Sequence, residues 1–112
     1  MRGHVYMGDF TPRSGAELTG PHPLIVISND AINEAKNWMS ITVIPISSSA
    51  RSRPPLTVEL PAGTAGLSRD SRALCHQITT IDRTKLGRFL GVLPAEHLEQ
   101  LEDAIRATLD LP

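Results

Sequence analysis

The apolar residues of this chain come in short β-rich runs, Leu24-Ile25-Val26-Ile27 and Ile41-Thr42-Val43-Ile44 the densest, each cut off by serine, proline, glycine or aspartate. Runs of this length suit the strands of a small sheet. Leu24 to Ile27 is apolar on both faces, as in a strand covered from two sides. Further strands are expected over His4 to Phe10 and over Ile41 to Ile46, where Pro45 marks an edge or bulge. Leu56 to Leu60 alternates, which predicts Leu56, Val58 and Leu60 facing a core and Thr57 and Glu59 facing water. Arg72 to Ile81 reads as one more strand and Gly91 to Leu93 as a last segment. Thr11 to Pro21 reads as a loop, Asp30 to Asn37 as a helical turn or irregular loop, and Thr84 to Phe89 as a short helix or turn. From Pro94 onward Leu98, Leu101, Ala104, Ile105 and Leu109 recur at helical spacing. Together these elements predict one domain over residues 1–112, mainly β (α+β). The expected architecture is a small, strongly bent antiparallel barrel with one C-terminal amphipathic helix packed against it.

A single cysteine, Cys75, cannot form an internal disulfide and suits a reducing compartment. The N-terminus has no apolar leader and no run approaches a membrane span, so a soluble, cytoplasmic protein is expected. The net charge of −1 hides an asymmetry. Between residues 50 and 88, Arg51, Arg53, Arg69, Arg72, Arg83, Lys85 and Arg88 face Glu59, Asp70 and Asp82, seven bases against three acids and a balance of +4. Such a segment can hold a phosphate backbone, although solvated arginines on a small protein look the same in sequence. His4, His22, His76 and His97 stand far apart without a paired-ligand spacing, and Gly63-Thr64-Ala65-Gly66 lacks the Lys-Ser/Thr of a phosphate loop. No cofactor or metal is expected, and catalysis would have to come from side chains alone.

Two segments carry a resemblance. Pro23-Leu24-Ile25-Val26-Ile27-Ser28-Asn29-Asp30 is similar to the strand RPVLVVSND of the MazF/PemK family of toxin ribonucleases, and Asp70-Ser71-Arg72-Ala73-Leu74-Cys75-His76-Gln77-Ile78-Thr79-Thr80-Ile81-Asp82 to its DSVALCHQIRTLD. The resemblance spans nearly the whole chain. It implies an SH3-like barrel of the CcdB/MazF/Kid type that pairs as a homodimer. It further implies a sequence-specific endoribonuclease toxin of a type II toxin–antitoxin system, acting on single-stranded mRNA. The implied partner is a cognate antitoxin whose acidic, disordered tail fills the RNA groove, the complex also binding DNA.

Metal-free RNA cleavage is chemically accessible to such a chain, because the substrate's own 2′-hydroxyl is the nucleophile. The family's catalytic pair is an arginine before the first strand and a threonine or serine after its V-P-I strand. The matching positions are His22 and Ser47. Serine keeps the hydroxyl, whereas imidazole, unlike guanidinium, changes charge near neutral pH and can both give and take a proton. At Thr79 a second family arginine is missing, and Arg13, Arg51 or Arg53 can supply a phosphate contact from neighbouring loops. The loops Arg13 to Glu17 and Ser47 to Arg53 offer Glu17 and Ser48 for base edges, with Gln77 and Thr79 from the second motif completing an RNA-binding set. A histidine that only solvates its turn remains an alternative for His22; Trp38 reads either as an exposed indole that stacks on a base or covers a partner subunit, or, more commonly, as a plug at one end of the barrel. Cys75 reads as a core residue and His76 as a strand residue with a structural hydrogen bond. Two other functions stay open: a catalytically weak relative that binds antitoxin, and a CcdB-like gyrase-binding toxin.

Overall fold

The computed structural model describes residues 1–11, 15 and 17–112. Its seven strands are β1 (His4–Asp9), β2 (Pro21–Val26), β3 (Ser40–Ser47), β4 (Thr57–Leu60), β5 (Ser71–Leu74), β6 (Thr79–Asp82) and β7 (Leu86–Val92). A short helix, α1 (Asp30–Glu34), follows β2, and the chain closes on α2 (Ala95–Leu109). The sheet runs β4-β5-β3-β2-β1-β7, with β6 added on β3, and every pairing is antiparallel. The long β3 bends it: Ser40 to Val43 pair with β6, Val43 to Pro45 with β2, and Ile46 and Ser47 with β5. Among the described residues β4 and β7, the two ends of the path, have no mutual pairing. The expected mainly β fold with one C-terminal helix is therefore present, but strand pairing does not close it into a barrel.

Strand β2 is covered on both sides, as its unbroken apolar run implied. One core, under α2, gathers Val5, Ile25, Ile44, Ile46, Leu60 and Leu101; the other gathers Phe10, Leu24, Val26, Ile41, Val43 and Ile81. Leu24 and Ile25, adjacent in sequence, belong to opposite cores, as the two-residue period of a strand requires. The stripe on α2 buries Leu101 and Ala104 completely or nearly so, while Leu109 stays half exposed. Asn29 starts α1 by accepting the Ile32 N–H at 2.9 Å.

Four expectations are corrected. Thr57 is buried rather than solvent-facing, because its hydroxyl accepts the Arg53 N–H at 2.7 Å and is satisfied inside. Arg72 to Ile81 is two strands, β5 and β6, separated by a 3-10 turn at Cys75–Gln77. The last strand starts at Leu86, so of the turn expected over Thr84 to Phe89 only Thr84 and Lys85 are helical, within a 3-10 turn Arg83–Lys85. Trp38 is 52% exposed and plugs nothing.

The N-terminus is pinned beside α1. Asp30 accepts the Arg2 N–H at 2.8 Å and the Asn33 amide at 3.1 Å, and the terminal ammonium lies 3.2 Å away. These bonds, the Arg2 N–H foremost, pull the Asp30 carboxyl from 3.8 down to about 2. As pH falls, the unfolded chain takes up its proton first, so this contribution is present above about pH 4 and lost toward pH 2. Between those limits the melting temperature of Asp30→Asn should fall less than that of the native chain, as thermal denaturation would show; equal slopes would contradict the assignment.

Candidate active site

His22 lies near the start of β2, between Pro21 and Pro23, and Ser47 ends β3. The β2/β3 pairing ends at Leu24 and Pro45, two residues short of His22 on one strand and of Ser47 on the other. On the far side of β3, Ser47 pairs with Arg72 and Arg72 with Glu59. Three adjacent strands thus place serine, arginine and glutamate in one line, while His22 meets the serine loop through Ser48.

Ser47 is only 2% exposed. Its hydroxyl oxygen accepts the N–H groups of Ser49 at 3.2 Å and Ala50 at 3.1 Å, and lies 3.3 Å from the Ser49 hydroxyl. It therefore organises the serine loop from within. The Arg72 guanidinium holds that loop from the other side, donating to the Ala50 carbonyl at 2.8 Å, while its Nε sits 3.0 Å from a Glu59 carboxylate oxygen. Removing Arg72 should cost about 1–2 kcal/mol in urea titration, because a charge-assisted bond to the loop is lost. Glu59 is half exposed, so Glu59→Ala should cost under about 1 kcal/mol. Equal losses in the two variants would mean that Arg72 does not hold the loop.

Two openings flank this loop. The smaller, about 200 Å³, is lined by His22, Ser48, Ser68, Arg69, Ser71 and Arg88. The larger, about 670 Å³, is lined by Glu17, Arg51, Arg53, His76 and Gln77 over the floor of Ala50 and Leu74. The structure thus brings Glu17, Arg51, Arg53 and Gln77 together and sets His22 and Ser48 around a separate opening. Gln77 also ties down the loop beside Glu17, its side-chain carbonyl accepting the Leu18 N–H at 2.8 Å. Thr79, half-buried in β6, lines neither opening, and Arg13 lies outside the described residues.

The sequence left Arg69, Arg88 and His76 without individual roles at these openings. His76 is not a strand residue: the 3-10 turn exposes it to the larger opening, and it has no hydrogen bond among the described residues. Charge alone could not show which bases are occupied. Arg72 is engaged as above, and the Arg83 guanidinium donates to the Trp38 carbonyl at 3.0 and 3.1 Å. The Lys85 ammonium donates to the Thr11 carbonyl. Arg51, Arg53, Arg69 and Arg88 are different: among the described residues none of their guanidinium groups has an ion pair or hydrogen bond. Four unoccupied cations beside hydroxyls and an imidazole suit a polyanion. Burial pushes the Cys75 thiol up to about 12, so it stays protonated and serves the core.

The bent antiparallel sheet backed by a C-terminal helix is the fold of MazF-type toxins. The crystal structure of MazF (form I) from Deinococcus radiodurans matches it with a TM-score of 0.81 at 28% identity, covering 97% of this chain and 94% of that one. That of MazE–MazF (form II) from the same organism gives 0.76 at 27% identity, covering 99% and 96%. Endoribonuclease MazF9 of Mycobacterium tuberculosis is 35% identical, covering 98% of this chain and 96% of its own length. The chain belongs to the PemK-like, MazF-like toxins of type II toxin–antitoxin systems, a family whose model matches residues 1–109. Its activity class is that of the MazF-type endoribonucleases.

Proposed function

We propose that residues 1–112 act as one domain that cleaves single-stranded RNA at a preferred sequence, without a metal ion, by attack of a 2′-hydroxyl on the neighbouring phosphorus. The 2′-oxygen bonds to phosphorus as the bond to the 5′-oxygen breaks, leaving a 2′,3′-cyclic phosphate and a 5′-hydroxyl. One proton leaves the nucleophile and one joins the leaving oxygen, and an imidazole suits both transfers. His22 carries that exchange. Two backbone N–H groups already occupy Ser47 Oγ as acceptor, so its proton is left to donate. Ser47 is buried behind the serine loop, so its hydroxyl turns from Ser49 to a phosphate oxygen, the stronger acceptor, when RNA displaces that loop.

Glu17, Gln77, Arg51 and Arg53 read bases from the larger opening and Ser48 contacts the RNA from the smaller one; Thr79 of β6 and Arg13 add further contacts. The observation that carries this reading is the meeting of His22 with the serine loop at the ends of two paired strands, between clusters of unoccupied arginines. No cofactor is required. Among the described residues no helix is long and apolar enough to cross a membrane. A lone cysteine adds to the case for a cytoplasmic protein.

The working form is a homodimer, and the regulating partner is an antitoxin with an acidic, disordered tail, which the unoccupied arginines would attract. The MazE–MazF structure from Deinococcus radiodurans supports a partner of this kind. Sequencing RNA 5′ ends after expression in a bacterial host should reveal recurrent cuts within one short motif. Intact RNA together with growth arrest would favour the gyrase-binding alternative instead.

A further inference from the structure

We infer that Arg69 and Arg88 form a phosphate-binding clamp over His22, an assignment that rests on the ribonuclease reading. The backbone brings them together by a close approach that only glycine permits. Gly66 ends the 3-10 turn Thr64–Gly66 at φ +78, and a Cβ there would stand 2.1 Å from the Leu90 carbonyl oxygen of β7. On the facing strand a Cβ at Gly91 would stand 2.6 Å from the Ala65 carbonyl carbon. The turn therefore lies directly on β7, and the residues that follow it run beside that strand.

Each arginine is fixed by its own surroundings. Leu67 is buried in the helix-side core, and the Ser71 hydroxyl donates to the Arg69 carbonyl at 2.9 Å, so the backbone of Arg69 is held from both ends. Arg88 lies where the β1/β7 register shifts, between the pairs Tyr6–Phe89 and Gly8–Leu86. Such irregularities re-aim a side chain. Both guanidinium groups are without ion pair or hydrogen bond among the described residues, and both line the opening that contains His22 and Ser48.

Size and chemistry identify the ligand. An opening of about 200 Å³ is below the ~300–1,000 Å³ of sites that enclose whole small molecules, and it suits a sugar-phosphate rather than a base. Two guanidiniums, an imidazole and the Ser48 and Ser68 hydroxyls offer donors to phosphate oxygens. The clamp supplies the fixed positive charge that family arginines provide at the positions held here by His22 and Thr79. The larger opening is then left for bases.

The test measures binding of a mixed-sequence 2′-O-methyl oligoribonucleotide, which lacks the free nucleophile, by fluorescence anisotropy across a salt series. Relative to the native chain, R69A/R88A should bind more weakly, with a log–log salt slope shallower by about 1.4 for two lost contacts to a single strand. R69K/R88K should keep most of the slope, which a purely structural role would not require. Equal slopes for the native chain and R69A/R88A, or no binding by the native chain, would overturn the clamp. So would weakened binding of a polyglutamate peptide with RNA binding unchanged, which would assign the pair to a protein partner. Cleavage of unmodified RNA by the native chain is read separately. A native chain that leaves RNA whole yet shows the Arg69- and Arg88-dependent slope would sink the ribonuclease reading and keep the anion site.

Discussion

Replacing His22 by alanine should lower the rate of RNA cleavage by about 10²–10⁴-fold, the range expected when one general acid–base group is removed. The fold should survive. His22 is half-buried near the start of β2, outside both cores, and β2 is anchored further along by Leu24, Ile25 and Val26. Because Arg69, Arg88 and the serine loop stay in place, the loss should fall on kcat more than on KM. His22→Arg separates the proton-transfer role from a purely electrostatic one. Guanidinium keeps its charge at every ordinary pH, so a variant that still cleaves should show a flatter pH–rate profile across the neutral range than the native chain. Native and His22→Arg profiles of one shape, with His22→Ala fully active, would remove His22 from the mechanism.

Replacing Gly66 by alanine should destabilise the fold by about 2–5 kcal/mol, combining a left-handed backbone for a residue with a side chain and an overpacked contact. The added methyl would stand 2.1 Å from a backbone oxygen of β7, and a backbone atom cannot rotate away as a side chain can. The turn must lift, with two consequences that are measured together. The melting temperature should drop by roughly 10–20 °C. Leu67 should lose packing, and the Arg69 side of the His22 opening should move, so cleavage should fall even well below the transition. Gly63→Ala is the matched control. Its backbone is also left-handed, at φ +91, but no atom lies within 4 Å of the added methyl, so only the smaller strain cost of about 1–2 kcal/mol applies. Similar losses at both positions would show that the close approach to β7 is not what holds the turn.

Much of the fold was legible because its signals are local. The doubly apolar Leu24 to Ile27, the helical recurrence of Leu98, Leu101 and Ala104, and the break at Pro94 each state a period within a few residues. What was missed depends on distant partners. Thr57 looked solvent-facing because alternation carries no information about the Arg53 N–H that satisfies it inside. The break between β5 and β6 has no glycine or proline to announce it, since Leu74-Cys75-His76-Gln77 is composed like a strand.

The site divides along the same line. That His22 and Ser47 form a pair was an expectation of the family resemblance; the structure sets His22 beside Ser48 of the loop that Ser47 organises. Which arginines are available was not readable, because Arg72 is occupied by Glu59 and a carbonyl whereas Arg69, only three residues earlier, is not. Arg88 reaches the His22 opening from the far end of the sheet path, a placement that local pattern cannot give.

The most direct measurement is mass spectrometry of fragments formed when the purified chain meets an unstructured transcript in EDTA. The expected result is paired ends, a 2′,3′-cyclic phosphate on one fragment and a 5′-hydroxyl on the next, absent when the scissile sugar carries no 2′-hydroxyl. Fragments with 5′-phosphate ends, cleavage that stops on chelation, or a transcript left whole would contradict self-scission promoted by His22 and Ser47.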